Sequence, residues 1–156
     1  MKLKLVASVV VVIAFLAGCA TPGTPVDDFG AEFGEYDGTP VMIDGEMGRN
    51  IQVTGTSIYL SLLGGEGSRV PMLSAAPYAY GTDVTVLARA YAYDGAPYDE
   101  MDESVKSAIS EFAATVEPGD DEQIEFQTRN IAQFLKTFAI GSGSDYFLIE
   151  VMAEQM

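Results

Sequence analysis

Histidine and tryptophan are absent from this chain of 156 residues, and cysteine occurs once, at Cys19. Without histidine the chain cannot form a Ser-His-Asp triad, a Cys-His dyad or an imidazole zinc site, and it lacks an ordinary general base near neutral pH. A single cysteine allows no internal disulfide, so a folded domain must depend on its hydrophobic core. We therefore predict a protein that is not an enzyme.

Basic residues are also scarce, with eight Lys and Arg against 23 Asp and Glu. Lys2 and Lys4 precede Cys19 and every acidic residue follows it, so removal of residues 1–18 leaves six basic against 23 acidic side chains, a net charge of −17. Phosphate binding needs a basic surface, which excludes nucleic acid as a partner and disfavours adsorption to anionic lipids. A strongly negative surface suits cationic partners or divalent cations, and it also keeps a protein soluble.

The first nineteen residues have the composition of a secretory signal. Lys2 and Lys4 are followed by an uncharged, almost entirely apolar run from Leu5 to Ala17. The run has the length of a signal-peptide core and is shorter than the roughly twenty apolar residues of a membrane span. We therefore predict that residues 1–18 are a signal peptide that is removed.

This signal ends in Leu16-Ala17-Gly18-Cys19. The motif resembles the lipobox of bacterial lipoproteins, in which a leucine and two small residues precede an invariable cysteine. The resemblance implies cleavage between Gly18 and Cys19, acylation of Cys19, and attachment to the membrane through the acyl chains. Ala20 after the cysteine, rather than an aspartate, implies onward export to the outer membrane, facing the periplasm. An ordinary signal peptide cleaved near a cysteine is the alternative.

Residues 19–38 are rich in proline and glycine and show no sustained periodicity, which predicts a lipidated N-terminus and flexible tether. The nineteen residues from Ala20 to Gly38 reach roughly 60 Å when fully extended. Phe29, Phe33 and Tyr36 are unusual in a tether and pack either on the domain or on a partner. Residues 39–156 form the single predicted domain.

The hydrophobic patterns of the domain predict an α+β fold, a mainly antiparallel sheet with one or two helices packed on one face. Residues 40–43 are expected to form a short strand that ends at a turn, Asp83–Tyr93 the clearest strand, and Tyr146–Met152 a closing, central strand. Asp99–Val116 has the apolar stripe of a helix. Residues 122–139 fit either a helix or a strand.

One group of acidic residues is a candidate metal site. Carboxylates are the ligands that calcium prefers, although their spacing here is not that of an EF-hand loop. Acidic residues also favour the start of a helix because they complement its dipole. The candidates are Asp94, Asp99, Glu100, Asp102 and Glu103.

Two other segments have an open interpretation. Ala88, Ala90 and Ala92 share one face of the Asp83–Tyr93 strand and leave room for a helix or for a ligand. The 141–144 segment, with Lys136 nearby, contains glycine and serine that could hold an anion or supply an activated serine. It lacks the sequence of a P-loop or of a hydrolase elbow, and a plain turn also explains it.

Three hypotheses about function follow. The first is a small non-enzymatic lipoprotein that acts as an accessory or adaptor domain for another protein of the cell envelope. The second is a module that binds a cation such as calcium or a small ligand. The third is a hydrolase that uses paired carboxylates. No cofactor is predicted.

Overall fold

The computed structural model describes residues 23–32 and 38–152. The predicted signal, the lipobox with Gly18 and Cys19, and the aromatic residues Phe33 and Tyr36 lie outside the described residues. The strands are β1 (Thr24–Pro25), β2 (Pro40–Gln52), β3 (Tyr59–Gly64), β4 (Arg69–Ser74), β5 (Asp83–Ala92) and β6 (Tyr146–Glu150). The helices are α1 (Val26–Glu32), α2 (Glu103–Val116) and α3 (Asp121–Ser142), with a 3₁₀ turn at Tyr98–Glu100.

Five of the strands close into a barrel in the order β2–β3–β4–β6–β5, with β5 returning to β2. The β4–β6 pairing is parallel and the other contacts in the barrel are antiparallel. The α+β class agrees with the sequence prediction, whereas the expected mainly antiparallel sheet with helices on one face is a mixed sheet that closes into a barrel. The closure arises because β2 pairs with β5 along its first half and with β3 along its second half.

β2 is a single bent strand of thirteen residues. The sequence analysis ended a strand at Ile43 and placed a turn after it, but the strand continues and its register shifts between Met47 and Asn50. Gly45 lies where a Cβ would approach the Leu63 side chain to 2.8 Å. A glycine in a strand permits this close approach of neighbouring strands, and the bulge bends the strand toward a second partner.

The two faces of the strands bury different cores. Val86, Ala88 and Ala90 of β5 are buried inside the barrel, in a cluster that also contains Leu148 of β6. The alternate residues of β6, such as Phe147, are buried under α2 and α3. Ala88 and Ala90, which were expected to leave room for a helix or a ligand, therefore face the barrel interior and not α2 or α3, and Ala92 is exposed.

The two long helices form a layer outside the barrel. α2 begins at Glu103, later than the predicted Asp99, because Met101 adopts an extended conformation after the 3₁₀ turn. Residues 122–139 are helical: α3 starts from a capping box at Asp120 and Gln123, which settles the ambiguity of that segment. Ile124 and Phe126 are two residues apart, which is a spacing that also fits a strand. In the structure both lie on the more exposed first turns of this helix, before its buried stripe begins.

The segment predicted as a flexible tether contributes structure to the domain. Thr24 and Pro25 pair in parallel with β2, and Val26 and Phe29 of α1 are buried in the barrel core. The Phe29 ring packs edge-on against Tyr146, with 5.7 Å between centroids. Residues 24–32 are therefore docked on the domain by strand pairing together with two apolar side chains spaced three residues apart on a short helix.

Candidate functional site

The five carboxylates proposed as calcium ligands lie around the start of α2 and do not converge. Asp102 caps the helix: its carboxylate accepts hydrogen bonds from the backbone N–H of Ser104 at 2.9 Å and from its hydroxyl. The Ser104 hydroxyl, followed by its backbone N–H, lowers the pKa of Asp102. Asp94 similarly accepts the backbone N–H of Ala96 at 3.0 Å.

Two more of these carboxylates are in surface ion pairs. Asp99 lies 3.2 Å from the Arg129 guanidinium, which also stacks over the Tyr98 ring at 4.3 Å, and Glu103 lies 3.2 Å from Lys106. Within residues 23–32 and 38–152, no group of three acidic, histidine or cysteine side chains is arranged to hold a metal ion. The cluster therefore provides caps and ion pairs for the helical layer.

The 141–144 segment is the end of α3. Gly143 has a positive φ of 71° and its N–H bonds back to the Ala139 carbonyl at 3.0 Å. The Ser144 hydroxyl donates to the Tyr146 carbonyl at 2.8 Å. These contacts are those of a helix C-cap leading into β6, as the plain-turn interpretation predicts.

The outer face of β3 and β4 is partly covered. Leu60 of β3 and Leu73 of β4 share a core with Ile131 and Leu135 of α3. The helix therefore covers part of the outer face of these two strands.

A groove of about 1080 Å³ opens on another side of the barrel, beside α1. Its floor is the bent part of β2 around Gly48, and its walls are α1, the β3–β4 turn and the start of β5. The register shift of β2 between Met47 and Asn50 lies at this floor. Its charged lining consists of five acidic residues, Asp27, Asp44, Glu46, Glu66 and Asp83, and two arginines, Arg49 and Arg69.

One groove carboxylate, that of Asp27, has a structural role. It accepts backbone hydrogen bonds from Glu66 at 2.8 Å and Gly67 at 3.2 Å in the β3–β4 turn. A hydrogen bond from the Ser68 hydroxyl, with these backbone donors, lowers the pKa of Asp27. A Cβ at Gly65 would collide with the carboxylate. Asp27 therefore fixes α1 to the turn.

The carboxylates of Glu46, Glu66 and Asp83 belong to solvent-exposed residues of the groove. Tyr80, which also lines the groove, is 80% exposed. An exposed aromatic ring beside several carboxylates offers a cation both ion pairs and the face of a π system. With five acidic residues against two arginines, Arg49 and Arg69, the lining of this groove is net negative.

A partly buried carboxylate, that of Glu150, lies at the end of β6. The Tyr78 hydroxyl donates a hydrogen bond to the Glu150 carboxylate, and the Asn50 side-chain amide donates to the Tyr78 carbonyl. Burial raises the pKa of Glu150, although the bond from Tyr78 opposes this, and burial also raises the pKa of Tyr78. The pair ties the β4–β5 connection to β6.

Sequence reasoning missed the groove because its residues come from four separate segments. Glu46, Glu66, Tyr80 and Asp83 meet only when β2 bends and the barrel closes. One feature of the sequence could have indicated the groove. Gly45 and Gly48 interrupt the segment that forms β2, and a glycine within a strand indicates a bulge or bend.

In the part of the chain that the structure describes, no helix is both long and apolar enough to cross a bilayer. A scan against protein-family models finds no match for this chain, and a search of curated proteins finds no significant match either.

Proposed function

We propose that this chain is a small, non-enzymatic lipoprotein of the bacterial envelope, held in the outer membrane through acyl chains on Cys19 and facing the periplasm. Its barrel acts as an adaptor that binds a positively charged segment of another envelope protein. The lipobox at residues 16–19 supports the anchor, and the absence of histidine supports a role other than catalysis. The groove beside α1 supports the binding role.

The observation that carries the binding role is the joint presence of Tyr80 and three exposed carboxylates in one concave surface. A lysine or arginine that enters the groove can pair with Glu46, Glu66 or Asp83 and contact the Tyr80 ring. Each exposed ion pair contributes only about 0–1 kcal/mol, so useful affinity requires a segment with several positive charges. Because exposed pairs are screened, binding should weaken as salt increases.

Calorimetric titration of the domain with a lysine- and arginine-rich peptide tests this proposal. Binding should be lost in the triple variant Glu46→Gln, Glu66→Gln, Asp83→Asn, which removes the three carboxylates from the groove. The matched control is Glu111→Gln, Asp121→Asn, Glu122→Gln, which removes three charges from exposed residues of the helical layer. Equal losses of affinity for the peptide in the two variants would show that net charge alone attracts it, and would contradict a site specific to the groove.

A photo-crosslinking amino acid at position 80 extends the test to cells. We expect capture of an envelope protein whose crosslinked segment is basic. The control position is Phe126, an exposed aromatic residue on α3 that does not line the groove. Capture of the same protein from both positions, or of segments without positive charge from position 80, would contradict the proposed binding surface.

A further inference from the structure

The folded body begins very close to the predicted anchor. At Gly23 a Cβ would lie 2.8 Å from the backbone carbonyl of Met42, so residue 23 is already packed against β2. Thr24 then pairs with Ile43. Only four Cα–Cα steps separate Cys19 from Gly23, and they span at most about 15 Å.

Residues 19–22, which link the predicted anchor to the folded body and are called the leash below, form a short linker compared with the domain. A domain of about 130 residues has a radius of gyration of about 14 Å, so the fully extended leash is about as long as that radius. The sequence interpretation of residues 19–38 allowed roughly 60 Å, because it did not include the docking of residues 24–32. The barrel therefore lies directly beside whatever surface holds Cys19.

The leash is attached at one end of the barrel. Asp27, four residues after Gly23, binds the β3–β4 turn through Glu66 and Gly67, which places that turn at the leash end. The β2–β3 turn, which contains Ser57, lies at the other end of β3. A strand of six residues separates the two turns by about 20 Å.

Charge determines how a body on so short a leash is oriented. The mature chain carries 23 acidic and six basic side chains, and an anionic lipid surface repels such a body over a Debye length of about 10 Å at 0.1 M salt. The leash prevents the body from moving away as a whole. Repulsion acts on the whole net-negative body, including the groove carboxylates at the leash end, but only the parts of the barrel away from the leash can move out of its range.

We infer that the barrel stands upright on the membrane, with α1 and the β3–β4 turn next to the lipid headgroups and the β2–β3 turn pointing away. This inference rests on the proposed acylation of Cys19. Since the groove is lined by α1 and by the same β3–β4 turn, it opens close to the membrane surface. Its partner is therefore a basic segment located beside the same membrane.

The absence of tryptophan makes this orientation measurable. Single tryptophans at Glu66→Trp and Ser57→Trp place one probe in each exposed turn at the two ends of β3. The acylated full chain is reconstituted into vesicles of phosphatidylethanolamine and phosphatidylglycerol that carry a dansyl headgroup acceptor. We expect several-fold greater energy transfer from position 66, because transfer falls steeply over the ~20 Å between the turns.

Two controls identify the cause of this difference. Insertion of fifteen Gly and Ser residues before Gly23 should reduce the ratio of the two signals toward one, because a long flexible leash no longer holds one end down. High salt should reduce the ratio as well, because it screens the repulsion. Equal transfer from both positions without the insertion, or greater transfer from position 57, would overturn the inference.

A second preparation separates the orientation from the anchor. The mature chain without its signal is coupled through its single thiol, Cys19, to a maleimide lipid in the same vesicles. Greater energy transfer from position 66 than from position 57 in both preparations supports the orientation and the anchor together. If the coupled chain shows the excess but the cell-made chain does not float with vesicles, the orientation is supported and the proposed acylation is contradicted. Equal signals from the two positions in the coupled chain overturn the orientation itself.

Discussion

The Asp27 carboxylate accepts a 2.8 Å hydrogen bond from the backbone N–H of Glu66, thirty-nine residues further along the chain. The contact joins the first helix of the domain to the turn between β3 and β4. Together with the burial of Phe29 in the barrel, it makes residues 24–32 part of the fold and one wall of the groove.

Asp27→Ala should lower the free energy of unfolding, because the backbone N–H groups of Glu66 and Gly67 and the Ser68 hydroxyl lose their acceptor. The folded pKa of Asp27 lies below its ordinary value of 3.8, so its stabilisation is fully present above that value and is lost as the pH falls through the lowered pKa. Urea unfolding of both proteins should therefore show a difference at pH 7 that shrinks in acid. Asp28→Ala, on the same helix turn, is the control and should show little change.

Phe29→Ala should destabilise the domain by about 3–5 kcal/mol, because the ring is 0% exposed and its removal leaves a cavity beside Tyr146. Phe126→Ala is the matched control, since that ring is 62% exposed, and it should change stability by no more than about 0.5 kcal/mol. Chemical denaturation measures both. Similar values for the two variants would mean that α1 does not contribute to the barrel core.

Ser61→Ala should increase stability by about 1 kcal/mol, because a buried hydroxyl without a partner carries an unrecovered desolvation cost. Ser61 is 0% exposed, and within the described residues its hydroxyl makes no hydrogen bond. Ser57→Ala, at an exposed position in the β2–β3 turn, should be neutral. Loss of stability in the Ser61 variant would indicate that the hydroxyl has a hydrogen-bonding partner inside the barrel.

Glu150→Gln should stabilise the domain at neutral pH. The folded pKa of Glu150 is raised above its ordinary value of 4.5, so the folded state holds the proton more tightly than the unfolded state. Its contribution to stability is therefore complete below 4.5 and is lost as the pH rises through the raised pKa. The glutamine can still accept the Tyr78 hydroxyl but carries no charge.

Melting temperatures measured from pH 4 to pH 8 test this expectation. The Glu150→Gln variant should exceed the wild type at pH 8 and approach it at pH 4. Glu122→Gln, which removes an exposed carboxylate from α3, should not give this pH-dependent gain. A Glu150 variant that is less stable than the wild type at pH 8 would show that the charged form of Glu150 stabilises the fold.

The elements that sequence reasoning predicted well are those with a long local pattern. The Asp83–Tyr93 strand corresponds to β5, and the closing strand corresponds to β6, which has partners on both sides. The apolar stripe of Asp99–Val116 corresponds to α2, apart from its first turn. Such periodicity indicates that one face of an element is buried, and it can be recognised from a short stretch of sequence alone.

The features that were not predicted depend on contacts between distant residues. The barrel closes because β2 pairs on both edges, and an Asp-Gly pair within that strand resembles a turn when only its neighbours are considered. α1 is only seven residues long and is held by β2, the barrel core and the β3–β4 turn. The groove residues meet for the same reason, so neither the groove nor its charge was visible in the sequence.

The proposed anchor depends on lipid attachment at Cys19, which metabolic labelling measures. Cells that express the full chain are grown with radiolabelled palmitate, beside cells that express the Cys19→Ser variant. We expect label in the wild-type protein and none in the variant, together with loss of residues 1–18 only from the wild type. Label in both proteins, or in neither, would contradict the proposed lipoprotein.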